Sequence, residues 1–116
     1  MLKDNNELNA ILKRIEKGML DYLDAGTTDY AKDDVARCLA IMQDYLVRME
    51  DTSSKEEAMA IVESTVGALN ELNEKCEYAL IETEQREDLA EIIIMAGHLK
   101  GYNAMNEDIT EEWRDW

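Results

Sequence analysis

The sequence predicts an all-α protein, an up-down antiparallel bundle of about four helices followed by a short C-terminal helix. Three observations predict this fold. The 116 residues include no Pro and only five Gly, a composition that favours long helices over sheets. Apolar residues recur at helical spacing in four successive stretches, and residues typical of helix ends lie between them. Since a chain of this length suits one compact unit, we expect a single domain over residues 1–116.

The first helix is expected to run from about Asp4 to Asp24. Asp4 and Glu7 resemble a capping box in which an acid replaces Ser or Thr. Gly26 can adopt the left-handed conformation that ends a helix, and Thr28 can cap the next one. The predicted apolar stripe is Leu8, Ile11, Leu12, Ile15, Met19, Tyr22 and Leu23.

The second and third helices carry the same apolar periodicity. The second should span about Asp29 to Asp51. The third should begin near Ser53 or Ser54, because two overlapping Ser-x-x-Glu pairs there form the clearest capping boxes in the chain. The stripe of the second helix is Val35, Cys38, Leu39, Met42, Tyr45, Leu46 and Met49. The stripe of the third is Ala58, Ile61, Val62, Thr65, Leu69, Leu72 and Cys76.

The fourth helix is expected to start at Thr83, with acidic residues in its first turns that complement the helix dipole, and Gly101 closes it. Its main stripe is Leu89, Ile92, Ile93, Ala96 and Lys100. Ile94 and Met95 lie outside that stripe. Apolar residues on a second side indicate that this helix is covered on more than one side.

Residues 103–116, the C-terminal segment, are acidic and aromatic. Five acids and one Arg surround Ile109, Trp113 and Trp116, which fall at i, i+4 and i+7. Thr110 could cap a short helix there, but a helix this brief is unstable alone in water. We therefore expect the segment to fold back and lay its tryptophans over the bundle, with the fourth helix as the candidate surface. The alternative is an exposed segment that docks on a partner through its tryptophans.

The net charge of the chain indicates which classes of partner it can bind. Lys and Arg total 12 against 27 Asp and Glu, which gives a net charge of -15 and a pI near 4.3. Nucleic acids and anionic membranes are bound by clustered cations, so we expect neither. A strongly negative field accelerates encounter with a basic protein instead.

A cytoplasmic location is expected. The N-terminus lacks the basic start and apolar run of a secretory signal. The longest uncharged apolar run, Ile92 to Gly97, is far shorter than the roughly 20 residues that span a bilayer. Cys38 and Cys76 lie on helix stripes, a placement typical of buried free thiols in a reducing cytosol.

No catalytic residue, metal ligand or cofactor is predicted. His98 is the single histidine, so di-iron sites that need Glu-x-x-His on two helices and zinc sites of Cys and His are excluded. As a general base, His98 would need a nucleophile nearby and an orienting acid such as Glu91. The sequence offers no recognisable nucleophile.

A carboxylate-dependent magnesium enzyme is one further alternative. Glu71, Glu74 and Glu77 give Glu-x-x-Glu spacings, but no Glu-x-x-Asp follows at a helix-length distance. Glu84 and Glu87 lie too close along the chain to replace it. We expect solvated helix faces at these positions and no enzyme.

The leading functional hypothesis is a small acidic protein-binding domain, immunity-like in size and charge, that engages a basic protein partner. The alternative from another class is a structural or oligomerisation protein without a ligand, and the oligomeric state is left open. The candidate partner-binding residues lie in the C-terminal segment: Glu107, Asp108, Glu111, Glu112, Trp113 and Trp116.

Two stretches resemble motifs of small, uncharacterised bacterial proteins. They are LIETEQRE at residues 80–87 and DITEEWRDW at residues 108–116. The resemblance covers roughly the last third of the chain and implies a bacterial source. It implies no activity and no catalytic residues.

Overall fold

Four α-helices make up the part of the chain that the structure, a computed structural model, describes: residues 1–26 and 29–116. They are α1 (Asn6–Asp24), α2 (Lys32–Glu50), α3 (Lys55–Lys75) and α4 (Thr83–Leu99), preceded by a 3₁₀ turn at Leu2–Asp4. No strand occurs among these residues, so the predicted all-α bundle is confirmed. None of the described helices is both long enough and apolar enough to cross a membrane.

The start of α1 differs from the predicted one. Asn5 is the N-cap, since its side chain accepts a hydrogen bond from the Leu8 amide at 3.0 Å. Leu2 is buried and its amide donates to Glu50 Oε1 at 2.6 Å, which holds Asp4 in the preceding 3₁₀ turn. The capping box predicted at Asp4 is therefore wrong, because a tertiary contact of Leu2 sets where the helix begins.

The start of α2 also lies later than predicted. Thr28, the predicted cap, lies outside the described residues. The helix begins at Lys32 rather than near Asp29. Asp34 Oδ2 accepts a hydrogen bond from the Ala31 amide at 2.9 Å, so a side chain of the first turn caps the helix from within.

The start of α3 matches the prediction. Ser54 is the N-cap, and its hydroxyl oxygen accepts a hydrogen bond from the Glu57 amide at 3.2 Å. The Ser53 hydroxyl donates to Glu57 Oε1 at 2.9 Å. Both serines of the overlapping pairs therefore contact the same glutamate.

The end of α4 also matches the prediction. Gly101 is left-handed, with a φ of 83°. The amides of Gly101 and Tyr102 donate to His98 O and Gly97 O at 2.8 and 2.9 Å, the pattern of a Schellman motif. The chain thus leaves the helix sharply and runs into the C-terminal segment.

The core lies around α2, which packs against α1, α3 and α4. Tyr45 on α2 is fully buried, and its hydroxyl donates to Ile93 O on α4 at 2.8 Å. Burial raises the pKa of Tyr45, so this donor stays protonated. Tyr22, predicted on the α1 stripe, is 40% exposed; that assignment is wrong, since the stripe ends on the half-buried Leu23.

The side of the bundle between α3 and α4 is closed in an unusual way. These helices are not among the closely packed pairs of the described chain, although residues 76–82 join them. The C-terminal segment contacts both instead. Asn70 on α3 binds its backbone, and Gly97 on α4 lies beneath its Asn103 and Ile109 side chains.

Gly97 permits this close approach. A Cβ at position 97 would collide with Asn103 Oδ1 and lie 3.4 Å from Ile109 Cδ1. A Cβ added to Gly67 in α3 would meet no described atom within 4 Å. The two glycines therefore make a matched pair for substitution.

We expect Gly97→Ala to lower the free energy of unfolding by about 1–3 kcal/mol, the usual cost of overpacking. Gly67→Ala should raise it by up to about 1 kcal/mol, because Ala is the better helix former. Urea denaturation followed by circular dichroism measures both. Equal stabilisation by the two substitutions would show that the C-terminal segment does not rest on Gly97.

Candidate functional site

The C-terminal segment contains two turns, at residues 105–106 and 109–113, and is not helical. The amides of Trp113 and Arg114 both donate to Thr110 O, at 3.2 and 3.0 Å, within a turn over residues 109–113. A continuing helix would bond the Asp115 amide internally. That amide donates instead to Asn70 Oδ1 at 3.0 Å, and Asn70 Nδ2 donates to Trp113 O at 2.8 Å. A turn forms in place of the predicted short helix because Asn70 bonds backbone groups that a helix would bond internally.

The apolar side chains of the segment pack on the bundle. Ile109 is 8% exposed, and the half-buried Trp113 and Trp116 contact the core. On the α4 side, Asn103 Nδ2 donates to Ile94 O at 3.1 Å. The prediction that the segment folds back onto its own bundle is confirmed, and α4 is one of the two helices that receive it.

Two of the six candidate partner-binding residues hold the segment in place. Glu107 Oε1 accepts a hydrogen bond from a backbone amide of the segment, and its Oε2 lies 4.0 Å from Lys55 Nζ. Asp108 Oδ1 accepts bonds from the Thr110 amide and hydroxyl at 2.9 and 2.6 Å, and Oδ2 lies 3.5 Å from Arg114. Burial alone would raise the pKa of Asp108, but the bonds from Thr110 bring it below its ordinary value.

The other four candidates are two exposed acids and two half-buried rings. Glu111 and Glu112 are exposed, and their carboxylates form no ion pair with a described residue, although the Glu111 amide donates to the Asp108 carboxylate. The Arg114 guanidinium lies 5.7 Å from the centre of the Trp116 ring. Trp116 Nε1 is buried without a hydrogen-bond partner among the described residues. A partner-binding role for the six residues stays a prediction.

A strained turn that no sequence pattern indicates follows α3. Glu77 and Tyr78 both have left-handed backbones, with φ of 57° and 61°, which costs about 1–2 kcal/mol for each residue with a Cβ. Asn73 stabilises the turn: its O accepts from the Tyr78 amide at 2.7 Å, and its Oδ1 accepts from the Ile81 amide at 3.0 Å. Tyr78 is consequently held away from the core, with 56% of its surface exposed.

Carboxylates surround Tyr78. The charge of Glu74 has the largest effect in raising the pKa of Tyr78, followed by burial, Asp115 and Glu77. None of these three acids has a described Lys, Arg or His nitrogen within 4.0 Å. We call Glu74, Glu77, Tyr78 and Asp115 the acidic surface. No local pattern predicts it, because Asp115 reaches it through the docking of the C-terminal segment.

Cations elsewhere in the chain join elements to one another. Arg14 on α1 lies 2.7 Å from Asp88 and 3.4 Å from Glu91 on α4. Glu91 therefore does not orient His98, as the general-base hypothesis required. His98 is exposed, and its Nδ1 lies 2.9 Å from Asn103 O.

Both cysteines are free and buried, as predicted. Burial, with a smaller effect of Cys76, raises the pKa of Cys38 from 9.0 to about 12. Burial also raises the pKa of Cys76, with a further contribution from the charge of Asp34. Both thiols are thus protonated near neutral pH, and thiols are weak nucleophiles in that form.

The carboxylates considered for magnesium do not converge. Among the described residues, no three His, Cys, Asp or Glu side chains are grouped so that they could hold a metal ion. Glu71 lines a groove between α2 and α3, whereas Glu74 and Glu77 belong to the acidic surface. The absence of metal, cofactor and catalysis stays a prediction.

Comparison with protein-family models, with curated proteins and with solved structures finds no match for the chain. Function is therefore inferred from the residues and their surroundings.

Removing the residues after Glu107 should lower Tm, because the contacts of Ile109, Trp113 and Trp116 are lost. A loss of even 1 kcal/mol shifts Tm by about 4–8 °C in a domain near this size. Both tryptophans of the chain lie in the segment, so the emission of the intact protein should be blue-shifted from that of hydrated indole. An unchanged Tm with fully hydrated emission would refute the docking.

Asp34 should make stability depend on acid pH. Its Oδ2 accepts from the Ala31 amide and its Oδ1 lies 2.9 Å from Lys75 Nζ, and these bonds, in that order, hold the pKa of Asp34 below its ordinary 3.8. The ionised group therefore stabilises the fold fully above 3.8, and the contribution is lost as the pH falls through the lower folded-state pKa.

The destabilisation caused by Asp34→Asn, measured by urea denaturation, should accordingly be largest at neutral pH and shrink toward about pH 3. Asp33→Asn is the control, because the Asp33 side chain is exposed and bonds no described residue. A constant difference across the pH range would contradict the assignment.

Proposed function

We propose that the chain is a small cytoplasmic protein-binding domain, immunity-like in its acidity, that engages a basic protein. The observation that supports this most is the acidic surface. An exposed aromatic ring lies among three carboxylates that no described cation neutralises, next to a backbone turn held in a strained conformation. Strained backbones concentrate at functional sites, and tyrosine is enriched where proteins bind one another.

The net charge acts in the same direction. A field of this sign speeds association with a cationic protein and slows association with other acidic proteins. The exposed Glu111 and Glu112 would extend the acidic surface along the C-terminal segment. The same proposal holds that the protein is bacterial and cytoplasmic and that it catalyses no reaction.

We also infer that the four helices run up and down. The start of α1 meets the end of α2 where Leu2 bonds Glu50. The start of α2 meets the end of α3 where Asp34 bonds Lys75. On α1, Arg14 contacts Asp88 of α4, and the later residue Gly18 lies against the earlier residue Gln85. These two helices are therefore antiparallel as well.

A groove between α2 and α3 favours a second candidate function, oligomerisation. Its volume is about 640 Å³. Small and aliphatic residues lie among charged residues of both signs: Arg37, Ala40, Ile41, Asp44, Ala68, Glu71, Leu72 and Lys75. A second copy packing there would form a homodimer instead of a complex with a basic protein.

Neutralising the acidic surface should weaken capture of a basic protein from a lysate. The variant Glu74→Gln, Glu77→Gln, Asp115→Asn removes three charges there. The control Glu7→Gln, Glu16→Gln, Asp24→Asn removes three exposed charges that bond no described residue. We expect one dominant basic partner at low salt, less at high salt, and an association rate reduced about tenfold in the first variant alone.

Two results would count against this proposal. Equal capture by both variants would show that net charge alone attracts the partner. Self-association in sedimentation runs, with no captured protein, would favour the oligomerisation function.

A further inference from the structure

The C-terminal segment fills a cleft between α3 and α4 without forming regular structure of its own. Asn70 on α3 binds it through Trp113 O and the Asp115 amide, and Asn103 binds it to Ile94 O on α4. Its two turns have few internal backbone bonds. Its order therefore depends on contact with the bundle, whereas each helix satisfies its own backbone.

The fit of the segment in the cleft is imperfect. Asn103 Oδ1 and Trp116 Nε1 are buried without hydrogen-bond partners among the described residues. A buried polar atom without a partner loses its bonds to water and gains nothing in return. Both atoms would regain bonds to water if the segment left the cleft.

The charges at the borders of the cleft also oppose the segment. Glu63 and Glu74 lie on the same face of α3 as Asn70, at i−7 and i+4. On α4, Glu87 and Glu91 line a hollow next to the segment, together with two cations, Arg86 of α4 and Arg114 of the segment. The segment itself brings five acids and one Arg. Lys55 on α3 contacts Glu107, but the acids of the segment and of its borders still outnumber the cations, and like charges repel.

We propose that the C-terminal segment is a displaceable strap and that a cationic amphipathic helix of the partner takes its place between α3 and α4. This rests on the proposed function and specifies where a basic partner binds. The borders of the cleft complement Lys and Arg, and Ala90 and Gly97 leave its α4 side shallow and apolar. Such a helix offers apolar residues to the cleft and cations to its borders.

Release of the segment leaves the helices intact. Gly101 and the Schellman motif, whose last bond is donated by the Tyr102 amide, lie at the end of α4, so rotation of the backbone after Tyr102 moves the segment without unwinding the helix. No helix end or cap described above depends on residues 103–116. The cost of release is confined to the contacts of the segment itself.

The test uses the full chain and a synthetic 18-residue peptide of Lys and Leu at amphipathic helical spacing. The peptide lacks Trp, so emission reports the C-terminal segment alone. At low salt we expect binding and a shift of emission toward that of hydrated indole. Asn70→Ala removes two bonds to the segment and should bind the peptide about tenfold more tightly. Asn106→Ala, an exposed residue of the segment that bonds no described residue, should bind as the unmodified chain does.

A scrambled peptide of the same composition separates this proposal from the proposed function. If the scrambled peptide binds equally well and emission does not change with either peptide, a basic partner binds at exposed acids and displacement is wrong. If neither peptide binds at low salt, both proposals fail. The emission of the unmodified chain decides the question even if Asn70→Ala does not fold.

Discussion

The closure of the bundle between α3 and α4 is the constraint that determines how the core is covered and where the acidic surface forms. Three sides are closed by direct packing of α1 on α4, α1 on α2, and α2 on α3. The fourth is closed by a segment with little secondary structure, so it requires side chains that bind an irregular backbone. Asn70 supplies an acceptor and a donor for two backbone groups. Gly97 supplies the space that the Asn103 side chain occupies. Truncating the Asn70 amide or adding a methyl group at Gly97 would expose the core only on the side between α3 and α4.

Electrostatics oppose this closure, and local bonds offset them. The chain has 12 Lys and Arg against 27 Asp and Glu. Several of these cations contact an acid on a different element rather than one on the same helix. Arg14 links α1 to α4 and Lys75 links α3 to α2, while Lys55 and Arg114 contact acids of the C-terminal segment. Exposed pairs of this kind contribute about 1 kcal/mol or less each. The remaining negative charge is therefore not cancelled but left exposed, and Glu74, Glu77 and Asp115 carry part of it where the C-terminal segment meets the end of α3.

The sequence predicts the helices because their stripes are local properties of the chain, and it misses features that depend on distant residues. Ser54 begins α3 and Gly101 ends α4 as expected, because capping is decided within one turn. Asn5 caps α1 in place of Asp4, because Leu2 is bonded to Glu50, which is distant in the sequence. Helical spacing in the C-terminal segment predicts burial correctly but not helix, since Asn70 takes its backbone bonds. Nothing local identifies the acidic surface, because Glu77 and Tyr78 are not residue types that favour a left-handed backbone.

Asp115 couples the two proposed binding modes. Its amide is one of the bonds that hold the C-terminal segment to Asn70, and its carboxylate is part of the acidic surface around Tyr78. A ligand that contacts Asp115 on the acidic surface binds more tightly while the C-terminal segment lies in the cleft. A partner helix in the cleft binds only after the segment has left it. Each ligand shifts the equilibrium only by its difference in affinity for the two states. Because such coupling is reciprocal, the two modes of binding oppose each other. A basic partner that uses both regions must therefore present one element to the cleft and keep its other contacts on Glu74, Glu77 and Tyr78, which stay in place when the segment leaves.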